Sequence, residues 1–221
     1  SIQDKIINMC KYFRVADLRI MLQPDFLVNF RAGSACNSPK NVINSRAWVQ
    51  TAINISRSIE TQPYNAEKLK RCLPELRSMT VRKPEEFLPR MRTIFAECGI
   101  AFVLLPHLKN SGINGAVKWL TEDRVVLAMN NRGLDADKFW FSLFHEIKHV
   151  FQQKIKTVFI SSTVEEMKDI NNNLEAEADK FATYHFENYL DVMVLKDSPI
   201  VLKCRVSDVI SLEGIEEDHL I

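Results

Sequence analysis

His145, Glu146 and His149 form an HExxH sequence inside FSLFHEIKHV, Phe141 to Val150. Residues four apart on an α-helix lie about 40° apart around its axis, so both imidazoles can reach one cation. The glutamate between them stands where it could take a proton from a water that the cation activates. The chemistry to test is therefore metal-assisted hydrolysis. A catalytic zinc site needs a third protein ligand and one position left open. The segment NNNLEAEADKFATYHF, Asn171 to Phe186, offers that ligand. Glu175 and Asp179 are again four apart and align with Ala182 and Phe186, whereas Glu177 points about 160° from that line and reads as solvated. Glu175 is the expected third ligand. Asp179 is expected to hold a ligand histidine in the right tautomer through its distal N–H. Ala178 and Ala182 are small enough to let this helix approach the HExxH helix closely. An ExxxD pair alone usually marks a wet helix face; following HExxH, beside alanines and Phe181, it points to metal. Tyr184 or His185 is a candidate donor to an oxyanion, set against a surface or packing role for each. His107, next to Pro106, reads as structural or solvated, and His219 as a tail residue.

The elements that must position these groups follow from periodicity. Phe139, Trp140, Leu143, Phe144, Ile147, Val150 and Phe151 gather on the helix face opposite His145, so the HExxH helix is expected to be anchored by that face with its histidines turned away. Asp135 is a good N-cap for it. Upstream, Ile100–Leu105 (IAFVLL), Gly115–Leu120 (GAVKWL) and Arg124–Met129 (RVVLAM) read as strands, with a hairpin turn at Glu122 and Asp123. Thr157–Ile160 (TVFI) is a further candidate strand. The first third has helical period: Ile6, Ile7, Cys10 and Phe13 recur at helical spacing. So do Trp48, Ala52, Ile55 and Ile59 after a start near Asn44 or Ser45. Arg31–Asn41 reads as a loop. Helices are also expected over Asn65–Arg77 and from Pro84 to a stop at Gly99. Trp119 and Trp140 read as core anchors. The fold class is α+β, with a small, mainly antiparallel sheet.

Composition narrows the function classes. The chain has 221 residues, 46% hydrophobic, with a formal charge of +1, so it can bury a sizeable core and carries no overall field that would seek DNA or an anionic membrane. Five cysteines without CxxC spacing read as reduced thiols of a cytoplasmic protein. No stretch approaches the roughly 20 apolar residues of a bilayer span. The start at Ser1, directly into an amphipathic pattern, suggests a piece of a longer chain.

FWFSLFHEIKHVF followed by LEAEADKFA resembles the ImmA/IrrE family of zinc-dependent metallopeptidase-like proteins. GINGAVKWL, RVVLAMNNRG and DKFWF are also similar to family features. DKIINMCKYFRVADL and SRAWVQTA resemble the middle segment of a subgroup in which an Xre-type helix-turn-helix precedes the peptidase-like domain, often described as the HigA-like antitoxin of a toxin–antitoxin operon. The resemblance covers most of Ser1 to Phe186. It departs at Thr183–Asn188 (TYHFEN), where family members often run into aliphatic residues and a proline.

The resemblance implies a helical segment over 1–83 and a zincin-like metallopeptidase domain over 84–190; residues 191–221, outside the resemblance, read as a C-terminal tail. It implies zinc on His145, His149 and Glu175, and Glu146 as general base in peptide hydrolysis. The substrate or partner would be a helix-turn-helix repressor or a cognate toxin. DNA would be contacted only through a domain upstream of Ser1. The sheet edge at Gly115–Leu120 could hold an extended substrate by strand addition. The competing expectation is a non-proteolytic regulatory or antitoxin module that uses the same fold to bind or sense a partner, its zinc structural if another side chain closes the fourth position.

Overall fold

The computed structural model describes residues 1–19, 39–130, 136–156 and 172–185, and the statements below concern these residues. The chain is α+β. Its elements are α1 (Ile2–Phe13), α2 (Pro39–Ser56), α3 (Ala66–Ser78), α4 (Pro84–Glu97), β1 (Ile100–Leu105), β2 (Gly115–Thr121), β3 (Arg124–Asn130) and α5 (Ala136–Lys156). A sixth helix, α6, covers residues 172–185.

The three strands form one sheet in the order β1-β3-β2. β3 pairs parallel with β1, Ile100 opposite Val125 and Leu104 opposite Met129, and antiparallel with β2, Val117 opposite Leu127. The sheet is thus mixed among the described residues, where a mainly antiparallel one was expected. The reason lies in the burial of β3. Its residues from Val125 to Asn130 are all buried, which fits the central position, and this strand inserts between β1 and β2 although it follows both in sequence. Strand periodicity reveals which residues share a face but not which strand is central.

Alternation along the strands splits the core into two layers. Val126, Ala128, Val103, Leu105 and Ala116 pack with Trp48, Val49 and Ala52 of α2. Val125, Leu127, Met129, Ile100, Phe102 and Val117 face the other way, against Leu69 and Leu76 of α3, Met91 and Phe95 of α4, and Trp140, Leu143, Phe144 and Ile147 of α5. Each fully buried side chain of this size stabilises the fold by roughly 1.5–3 kcal/mol.

Most boundaries match the expectations. Asn65 caps α3, its side chain accepting from the Lys68 amide at 2.8 Å, and Pro84 opens α4. Gly99 adopts φ +84°, and a Cβ there would lie 2.3 Å from the Tyr64 backbone, so glycine is needed for both the turn and the approach. The start of α2 differs. It begins at Pro39, so the last part of the expected loop is helical, while 31–38 lie outside the described residues. Asn44 and Ser45 are not caps; their side chains donate to the Lys109 and Ser111 carbonyls and tie α2 to the loop after β1. The candidate strand Thr157–Ile160, the cap Asp135, His219 and the tail 191–221 also lie outside the described residues.

α6 packs onto the core through Leu174, Ala178, Ala182 and His185, all buried. The His185 ring stacks on Phe144 with centroids 5.3 Å apart and meets Phe181 at 4.2 Å. Burial, with the Arg77 charge adding to it, pushes its pKa down to about 4. The folded chain therefore resists a proton that the unfolded chain accepts below pH 6.5, and stability is lost as pH falls from about 6.5 towards 4. Between pH 7 and pH 5 this is about 2 kcal/mol. His185→Phe should remove that share of the pH dependence in urea unfolding; identical pH dependence in both proteins would refute the assignment.

Candidate metal centre

The anchoring of α5 follows from its wheel. Trp140, Leu143, Phe144, Ile147 and Val150 are buried in the large core layer, which turns His145 and His149 towards α6. The far face is buried too: His145 is 0% and Glu146 3% exposed. β2 and α6 cover it. Ala178 and Ala182, both fully buried, are the small residues through which α6 comes close.

This packing brings His145, His149 and Glu175 into one group whose ligand atoms lie within 4.8 Å of one another. His145 Nε2 and His149 Nε2 are 2.9 Å apart. Glu175 places one carboxylate oxygen 3.3 Å from the first and the other 3.4 Å from the second. Ligand atoms at adjacent corners of a zinc tetrahedron, with bonds of about 2.0–2.1 Å, are roughly 3.3 Å apart. The observed separations, 2.9 Å between the nitrogens and 3.3 and 3.4 Å from each nitrogen to its own Glu175 oxygen, are close to that size.

The outer hydrogen bonds decide where the lone pairs point. Asp179 Oδ1 accepts from His145 Nδ1–H at 3.0 Å. His149 Nδ1 lies 2.9 Å from Gln152 Oε1, which can only accept. Both Nδ1 atoms therefore carry the hydrogen, and both Nε2 lone pairs converge on the shared space. Two such nitrogens at 2.9 Å repel unless a metal ion or a proton lies between them. The carboxylates act in the same sense. Burial alone would lower the His149 pKa, but the hydrogen bond to Glu175 and the charges of Glu146 and Glu175 raise it above its ordinary value. Burial would raise the Glu175 pKa, yet the two imidazoles hold it well below the usual carboxylate range. The His/His/Glu group can hold a metal ion.

Two residues that the sequence reading did not single out complete the site. Gln152, 2% exposed, donates from its amide to the Leu174 carbonyl at 3.0 Å and to Glu177 at 3.3 Å while accepting from His149. Its helical spacing of three from His149 was a usable signal, though a weak one. Gly115 opens β2 against Glu146: a Cβ there would lie 2.6 Å from Glu146 Cγ and 3.0 Å from its Oε1. A glycine at a strand start is a recognised mark of close approach.

The remaining candidates sit apart from the triangle. Glu177, expected to be solvated, is exposed but also pairs with Lys148 at 3.1 Å. Tyr184 is 60% exposed, its ring 5.9 Å from the Arg77 guanidinium of α3. His185 is packed between Phe144 and Phe181, as already described.

No family model matches the sequence, and neither a curated protein nor a solved structure matches it. The class that fold and site define is an α+β chain with a His/His/Glu group able to hold a metal ion. Among the described residues, no helix is long and apolar enough to cross a membrane.

Metal should couple to stability with a definite pH sign. Without metal, the raised pKa of His149 gives a stabilising contribution that is complete below about pH 6.5 and fades as pH rises through the folded pKa. Protons compete with metal over the same range, so metal should stabilise more at pH 8 than at pH 6. Zinc at a hundred times its dissociation constant should add about 2.7 kcal/mol to unfolding. Thermal unfolding with zinc or chelator checks this, and an equal zinc shift in Glu175→Ala would refute the ligand set.

Proposed function

We propose that this chain is a zinc-dependent endopeptidase domain of the ImmA/IrrE type, with a zincin-like fold, acting on a protein partner such as a helix-turn-helix repressor or a cognate toxin. The observation that carries the reading is the converging triangle of His145, His149 and Glu175 with Glu146 buried beside it. The motif resemblance, HExxH followed by the LEAEADKFA segment, supplies the reaction class.

Zinc bound by the two histidines and Glu175 would supply a Lewis acid, lowering the pKa of a water and polarising a carbonyl oxygen. The chain's own residues do the rest. Glu146 takes the proton of the attacking water on its carboxylate and returns it to the leaving amine. Its placement against Gly115 limits its freedom, so the carboxylate is held rather than searching for its position. Asp179 and Gln152 keep each imidazole in the tautomer that offers Nε2. β2 stands at one end of the strand order and begins beside Glu146, which supports the reading that an extended peptide lies along it. The near-neutral charge favours a protein substrate over DNA.

The decisive experiment incubates the zinc-loaded chain with the repressor or toxin encoded beside its gene. Wild type should cleave it, whereas Glu146→Gln should retain zinc and lose roughly 10²–10⁴-fold in rate. Tight partner binding by both proteins without cleavage would establish the regulatory module instead. Gly115→Ala should lower the cleavage rate more than about tenfold with zinc content unchanged, because its Cβ must displace the Glu146 side chain. An unaltered rate would show that Glu146 has room to move.

A further inference from the structure

We propose that Gln152 is a positioning residue for His149, and that it makes the tautomer of this metal ligand depend on the docking of α6. The proposal rests on the reading of the site as a metal centre. Gln152 is 2% exposed and its amide has three partners. Two of them, the Leu174 carbonyl at 3.0 Å and the Glu177 carboxylate at 3.3 Å, can only accept, so the NH₂ group must face α6. The oxygen then faces His149 Nδ1 at 2.9 Å, and that nitrogen must carry the hydrogen. In the neutral ring, Nε2 is left with its lone pair, aimed at His145 Nε2 and Glu175.

Leu174 immediately precedes Glu175. One buried amide thus joins the helical turn that bears the third ligand to the ring that is the second. When this turn is in place, the Leu174 carbonyl orients the amide, and the amide sets His149 for binding. When α6 is undocked, the amide is released and His149 can take either tautomer. His145 is set separately by Asp179, also on α6, so both imidazoles are prepared by the helix that delivers Glu175. Ligand orientation and ligand delivery become one event.

The test uses the metal-free chain with ¹⁵N-labelled histidine, reading ring tautomers by NMR at pH 9, alongside zinc affinity by chelator competition. Gln152→Met fills the same volume with none of these three hydrogen bonds. It should give His149 a mixed tautomer, leave His145 as Nδ1–H, and weaken zinc binding roughly 10–100-fold. Gln152→Glu keeps an oxygen for the Nδ1–H and should restore that tautomer. An Nδ1–H His149 in Gln152→Met, or zinc affinity within about threefold of wild type, overturns the proposal. Should Gln152→Met not fold, loss of the Nδ1–H tautomer in Gln152→Glu overturns it equally. If wild type binds zinc no better than His145→Ala does, the metal reading fails, and the tautomer comparison still decides the role of Gln152.

Discussion

Two imidazole nitrogens held 2.9 Å apart with converging lone pairs make an arrangement that a shared cation, or a proton on one of them, relieves. The surrounding structure works to sustain it. The aromatic face of α5 fixes one side, burying Trp140, Phe144 and Ile147 so that the histidines cannot rotate away. α6 fixes the other, through the buried Ala178 and Ala182, and supplies both the carboxylate that adds negative charge and the one that orients His145. Such preorganisation lets a site bind an ion without first losing the entropy of arranging its ligands.

The sheet contributes to the site at one point. β2 starts at Gly115, and its missing side chain is the space in which Glu146 lies. The mixed pairing that puts β3 in the centre leaves β2 at an end of the order, next to α5 and hence next to the candidate base. Strand order, glycine placement and the burial of Glu146 thus belong to one arrangement. α2 lies on the opposite face and acts as a cover for the second core layer.

Legibility from sequence varied with the range of the interaction. His145, Glu146 and His149 could be grouped because one helix carries all three, and helical geometry is the same everywhere. Glu175 and Asp179 were reachable because their spacing and the neighbouring alanines gave a second helix with a face to present. Gln152 was not reached, since a glutamine on a helix is ordinary until a carbonyl from another segment pins its amide. The start of α2 was misplaced for a related reason. Asn44 and Ser45 have the chemistry of caps, yet carbonyls of the loop after β1 claim their side chains.

The sequence by itself determined the donor types, their spacing within each helix, the strand limits and the glycine stop at Gly99, because these depend on local sterics and period. Tertiary structure alone decided that β3 is central and that Glu175 meets both imidazoles. It also decided that Gln152 turns its oxygen to His149 and that His185 belongs to the core. Periodicity sets the direction of a side chain relative to its own element. Which remote surface it meets is set by how the buried faces of all the elements fit together at once, and that is a property of the whole packed chain.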